Sequence, residues 1–409
     1  MPGSQPVSAT VTSAYGAHVE PFGESFLITL SSKHLRVQLL SHGAALNSVK
    51  VRKPHSVASA HAATPEAAAQ PEEAWMDVCL GYTNPEEALS ADAVVGHTIG
   101  RYAGRIANGC FEVNNMLYTL AKNCGPHNLH GGPDGFQSRE WKYLLSDGED
   151  ETGVSFHLVS PHMDEGFPGE LFVRVTYSII KSASVPTLKY VLQASLSDNT
   201  PVDTTVINLT NHAYWNLNGV PRPVEADAKA PLPRSITNHY LQLQSKYVAV
   251  TDEWRIPNGD MRSVEGTVHD YSKLRCLAEG MEATKEEGRD SGGYDDPVAL
   301  ETWDSTLREA ALLYSPATKL RMRVCTTNPT IVVYTANGLP ADASGAKGQR
   351  FQQHSAICLE CQYFPNSPNV SAFPSTALRK GEAYTETTTH EFQFLHADIT
   401  AEERQQHRR

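Results

Sequence analysis

The chain has 409 residues, 40% of them hydrophobic, and a net charge of −12 from 34 Lys and Arg against 46 Asp and Glu. The basic residues are scattered, so no patch attracts a phosphate backbone, and nucleic acid is not an expected partner. No run of 18 apolar residues is present, and the N-terminus MPGSQPVSATVTSAYG lacks the charged-then-apolar layout of a secretory signal, so a cytoplasmic protein without a membrane partner is expected. The seven cysteines (Cys79, Cys110, Cys124, Cys276, Cys325, Cys358 and Cys361) are odd in number and widely spaced, which reads as reduced thiols. The sequon Asn208-Leu209-Thr210 lies in a segment where a glycan would obstruct the candidate chemistry described below, which also disfavours secretion.

In chain order, short β-branched or alternating runs predict strands at Phe26-Leu30, Leu35-Leu40, Leu171-Ile179, Leu188-Leu196, Val202-Leu209, Tyr240-Val250, Ile331-Thr335 and Ala356-Gln362. Gly, Pro, Asn and Asp separate them. Helical periodicity is weak, confined to Ala278-Arg289 and the C-terminal tail. Many short strands with few helices predict an all-β fold, a sandwich or barrel, as one domain over residues 20–398. Residues 53–73, KPHSVASAHAATPEAAAQPEE, are poor in large apolar side chains and read as a flexible surface insertion, and residues 401–409 as a charged tail.

Three regions carry chemistry. Gly96-Trp141 places Arg101, Arg105, His127 and His130 among glycines, where backbone approaches a ligand closely and Arg or His donates to hydroxyls; structural hairpins explain the pattern equally well. His127 and His130, three apart with no third ligand nearby, are a poor zinc signature, so no metal is expected. Thr204-Asn218 runs from a strand into a turn carrying His212, with Tyr214 and Trp215 as faces for a sugar ring and Asn211 and Asn216 as hydrogen-bonding groups. A lone histidine is more often structural than catalytic. In Ile357-Asn369, strand alternation puts Cys358, Glu360 and Gln362 on one face, and on pattern alone a solvent-exposed face is the simpler reading of Glu360. The same alternation turns Cys358 and Cys361 apart, against redox chemistry. No GxGxxG, P-loop or GxSxG is present, so neither a nucleotide cofactor nor serine-esterase chemistry is expected.

IGRYAGRIANG, NLHGG with Trp141, GFPGEL, TNHAYWNLNG, GGYDDPVAL, PTIVVYT and LECQYFPNSPN follow one another over about residues 25–395. In this order they resemble the aldose 1-epimerase (galactose mutarotase) family. The resemblance implies a large, mostly antiparallel β-sandwich of the galactose-mutarotase type, with no cofactor. It implies Glu360 as general base, His212 as general acid, and Arg105, His130 and Asp295 as substrate-binding residues. The partner would be a free hexose, and the protein a monomer or weak dimer. Three positions depart from the family's pattern: Gly104 stands where Asn usually precedes the arginine, Val332 replaces a usual Gln, and Asp296 a common His.

Anomer interconversion needs a proton to leave the anomeric hydroxyl and another to reach the ring oxygen, so one base and one acid suffice. The sequence leads us to expect Glu360 near its ordinary pKa and His212 held protonated by nearby carboxylates. Alternatives are a hexose-6-phosphate 1-epimerase, which needs more cationic groups than Arg101 and Arg105, a non-catalytic sugar-binding protein on the same fold, and a glycosidase using Glu360 and Asp295 as a carboxylate pair.

Overall fold

The computed structural model describes residues 16–54, 72–90, 93–222, 232–288, 292–301, 303–340, 351–396 and 399. Residues 55–71 of the expected insertion and the tail 401–409 lie outside the described residues.

Apolar alternation builds the sheets. In Thr187–Leu196 buried positions recur at every second residue, giving one face to a core and one to the surface. This strand pairs with Leu171–Ile180 over ten residues, Leu171 opposite Leu196. Both belong to a nine-stranded sheet ordered Lys142–Asp147, Glu151–Ser160, Leu171–Ile180, Thr187–Leu196, Tyr384–Phe394, Leu320–Thr326, Arg308–Ser315, Tyr240–Leu243, Arg275–Cys276. A six-stranded sheet runs Tyr214–Trp215, Ile357–Gln362, Thr330–Tyr334, Asp295–Leu300, Ser245–Thr251, Pro257–Ser263. A five-stranded sheet takes Gly16–Phe22, Ser25–Ser31, Leu35–Leu40, Ala45–Arg52 and Trp75–Asp77 in sequence order. Every ladder in these three sheets is antiparallel. The fold is thus all-β and mostly antiparallel. No described helix is long and apolar enough to cross a membrane.

One buried cluster joins Val175, Leu192 and Phe392 of the nine-stranded sheet to Val333, Ile357 and Leu359 of the six-stranded sheet and Ile28 and Leu39 of the five-stranded one. Removing each such side chain from water contributes roughly 1.5–3 kcal/mol. This burial orients the strand Ile357–Gln362: Ile357, Leu359 and Cys361 enter the core, and a period of two turns Cys358, Glu360 and Gln362 to the opposite face.

Two expected strands divide. The run Tyr240-Val250 breaks at Gln244, whose backbone N–H donates to Ala310 O at 2.9 Å, and the chain passes from the nine-stranded sheet to the six-stranded one. Val202-Leu209 keeps strand structure only over Thr204–Val206. Asn208 ends the regular ladder because its amide donates to Ala103 O and Tyr363 O at 3.1 Å and accepts the Tyr363 N–H at 2.8 Å. Helix Leu277–Glu286 begins one residue before the stretch of weak helical periodicity and otherwise falls inside it.

Candidate functional site

Beside the strand Ile357–Gln362 lies a groove of about 860 Å³ lined by Glu360, His212, Arg105, His130, Asp295 and Tyr334, among others. Glu360 is 4% exposed, which excludes the solvent-facing reading of its strand. Its register partner is the apolar Val332, which lines the same groove. Among the described residues no hydroxyl or amide donates to Glu360; its Oε1 faces His212 Nε2 at 3.6 Å.

His212 is positioned from both sides of its backbone. Its N–H donates to His97 O at 2.9 Å and its carbonyl accepts from Gly96 N–H at 2.8 Å, while Thr210 and Asn211 pair with Ile99 and Thr98. Its ring stacks on Tyr214 with centroids 5.0 Å apart and meets the Tyr334 ring edge-on at 6.0 Å. Such contacts fix the plane of the imidazole while leaving Nε2 toward Glu360.

Arg105 and Asp295 converge from separate elements, Nη1 to Oδ2 at 3.7 Å, each partly exposed to the groove. His130 holds a left-handed backbone, φ 54°. Its Nδ1 accepts the Gly104 N–H at 3.2 Å, and its own N–H donates to Gly104 O at 3.0 Å. An Nδ1 that accepts leaves the proton of neutral imidazole on Nε2, so His130 offers a donor. Its neutrality follows from burial, with His212 and Arg105 adding repulsion, which together hold it well below the usual histidine range.

The protonation states differ from those expected. Burial, reinforced by the Asp295 carboxylate and opposed by Arg105, pushes Glu360 up to about 8. Burial pushes His212 down to about 4. With the groove empty, burial thus disfavours the charged form of each group, and at neutral pH the pair holds one proton between them. The near-ordinary Glu360 and protonated His212 expected from sequence are corrected, because desolvation outweighs charge attraction at these depths.

The model of the family described as aldose 1-epimerase matches residues 27–391. The chain is 32% identical to galactose mutarotase of Sus scrofa over 360 residues, 88% of this chain and 91% of that protein. It is 31% identical to aldose 1-epimerase of Escherichia coli (strain K12) over 318 residues, 77% of this chain and 85% of that one. The chain belongs to the aldose 1-epimerase family. Among solved structures, an aldose epimerase homologue from C. elegans superimposes with a TM-score of 0.71 at 26% identity, covering 91% of this chain and 99% of that one.

The departures of this aldose 1-epimerase family member have physical counterparts. Gly104 has φ +77°, and a Cβ there would lie 2.8 Å from Pro365 Cγ, so Pro365 occupies the room an Asn side chain would need. Val332 lines the groove without a polar group. Asp296 alternates away from Asp295 and is buried 3.3 Å from His269 Nε2.

Several residues singled out by sequence lie elsewhere. Trp215 is in the core, its ring 4.6 Å from that of His390. Asn211 donates to Gly96 O and Tyr177 Oη, and Asn216 to Arg234 O and Ser355 O, so both NH2 groups are engaged, and both side chains are buried away from the groove lining. Arg101 is 2% exposed and donates to Pro168 O and Gly169 O at 2.8 Å. His127 accepts the Asn108 N–H at 3.0 Å and packs against Trp254 at 5.1 Å. Conversely, His42, His97, Tyr334 and Arg255 line the groove without having been singled out. Only Tyr334 carried a signal, since alternation places it on the same strand face as Val332.

Proposed function

We propose that this protein is a 1-epimerase of a free hexose such as glucose or galactose, with Glu360 as general base and His212 as general acid. The observation that carries the reading is the isolated pair itself: a carboxyl and an imidazole 3.6 Å apart, both buried, on the wall of a groove with donors and a carboxylate opposite.

The chemistry follows from one shared proton. The state that reacts has Glu360 ionised and His212 protonated, reached from the empty-groove state by moving one proton across the pair. Glu360 then takes the proton of the anomeric hydroxyl as His212 gives its proton to the ring oxygen. The C1–O5 bond opens, and the aldehyde forms. After rotation about C1–C2 the transfers reverse, closing the ring with the other configuration. Each positioned proton transfer contributes about 10²–10⁴-fold. Arg105, His130 through Nε2–H, and Asp295 bind sugar oxygens and orient the ring.

Polarimetry of freshly dissolved α-D-glucose and α-D-galactose tests the reading. Faster approach to the same final rotation is the expected result. No acceleration with either sugar, or release of the aglycone from an aryl glycoside, would sink it.

A further inference from the structure

Arg105 is not the only guanidinium at the groove. Arg255, on the loop between strands Ser245–Thr251 and Pro257–Ser263, also lines it, alongside Asn123 and Leu129. The two cations differ in their partners. Arg105 faces Asp295, whereas the Arg255 guanidinium has no hydrogen bond or ion pair among the described residues although it is partly buried.

The loop holds this side chain in place. Asp252 Oδ1 accepts the N–H groups of Trp254 and Ile256, both at 2.9 Å, and Asp252 O accepts that of Arg255 at 3.0 Å. Trp254 packs on Gly125, where a Cβ would stand 2.6 Å from the indole. Arg255 itself has φ 61°, a left-handed conformation that costs a long side chain on the order of 1 kcal/mol. Of the other lining residues, Gly104, Leu129 and Pro365 bring no polar side-chain atom, and the Asn123 amide is engaged by the backbone of Leu129, donating to its carbonyl at 2.9 Å and accepting its N–H at 2.7 Å. A partly desolvated charge without a counter-ion is unfavourable in the empty protein, and a ligand that supplies the opposite charge recovers that cost on binding.

We propose that Arg255 is a specificity-determining residue for an anionic substituent, so that the groove takes sugars bearing a carboxylate or a phosphate in addition to neutral hexoses. A guanidinium suits both groups because its fork of N–H donors matches two oxygens at once. Asp295, the anion that would oppose such a substrate, is engaged with Arg105. The inference rests on the epimerase reading above and extends its substrate class.

The test is anomer exchange measured by NMR for D-glucose, D-glucuronate and D-glucose 6-phosphate, using the wild type, Arg255→Gln and Arg255→Lys, with melting curves to verify folding. The expected result is acceleration with at least one anionic sugar. Its kcat/KM, taken relative to glucose, should fall about tenfold or more in Arg255→Gln, as for loss of a charged hydrogen bond, and recover in part in Arg255→Lys. Response to glucuronate alone assigns a carboxylate, and response to glucose 6-phosphate alone a phosphate. Acceleration of glucose but of neither anionic sugar overturns the inference, as does an unchanged ratio in Arg255→Gln. Acceleration of the anionic sugars without glucose supports it and contradicts the neutral-hexose reading. No acceleration of any sugar removes the epimerase reading and this inference with it.

Discussion

Two buried glutamates mark two regions of the molecule, and burial alone does not distinguish them. Glu360 in the six-stranded sheet is 4% exposed and Glu386 in the nine-stranded sheet 6%. Burial pushes both above the ordinary carboxyl range. Their partners differ. Glu386 accepts from the Thr327 hydroxyl and, at 3.2 Å, from Tyr363 Oη, which anchors the strand Tyr384–Phe394 to its surroundings. Among the described residues no group donates a hydrogen bond to Glu360; it faces His212 across 3.6 Å, with an open groove beside it. A buried carboxyl whose lone pairs are engaged serves structure, whereas one left facing a titratable group and a cavity is available for proton transfer.

The largest expected effects test that contrast at the groove. Glu360→Gln keeps size and polarity but cannot take up and return a proton, so kcat should fall on the order of 10³-fold, and His212→Gln on the order of 10²-fold or more. Progress curves at saturating sugar check both.

Asp295→Asn comes next. It weakens the opposition to Arg105 and removes the charge that helps raise Glu360, so kcat/KM should fall about tenfold, the scale of a lost charged hydrogen bond. The high-pH limb should move to lower pH.

The pH profile of kcat/KM follows from the shared proton. With Glu360 raised to about 8 and His212 lowered to about 4, the one-proton state prevails between these values. The rate should therefore be flat from about pH 5 to 7, fall as pH rises through about 8 because the last proton leaves, and fall toward pH 4 because the base is lost. These limits belong to the pair and not to either residue alone. A profile rising steadily through pH 6.5, as for an ordinary free histidine, would contradict this protonation scheme. The smallest effect is expected at the other glutamate: Glu386→Gln keeps one acceptor oxygen for Thr327 or Tyr363 and offers its NH2 to the other hydroxyl, so activity should stay within about threefold and stability within about 1 kcal/mol.

Much of this was legible in the sequence. Strand alternation put Glu360, Cys358 and Gln362 on one face, and the ordered motifs matched the family whose model covers residues 27–391. What alternation could not say was which face looked outward, because that depends on a core assembled from all three sheets. Asn211, Asn216 and Trp215 looked like sugar contacts because they flank His212. Their NH2 donors and the indole are engaged by hydrogen-bond partners and core packing that come from distant segments. Arg255 was invisible for the same reason: a single arginine in a turn gains meaning only when the fold sets it on the same groove as Glu360 and His212. The protonation states were misjudged because charge can be counted from sequence and desolvation cannot.

The most direct test is mutarotation of α-D-glucose and α-D-galactose by polarimetry with the wild type, Glu360→Gln and Glu386→Gln side by side at pH 6.5. The account predicts acceleration by the wild type and Glu386→Gln and its near-complete loss in folded Glu360→Gln; equal activity in the two variants would contradict it.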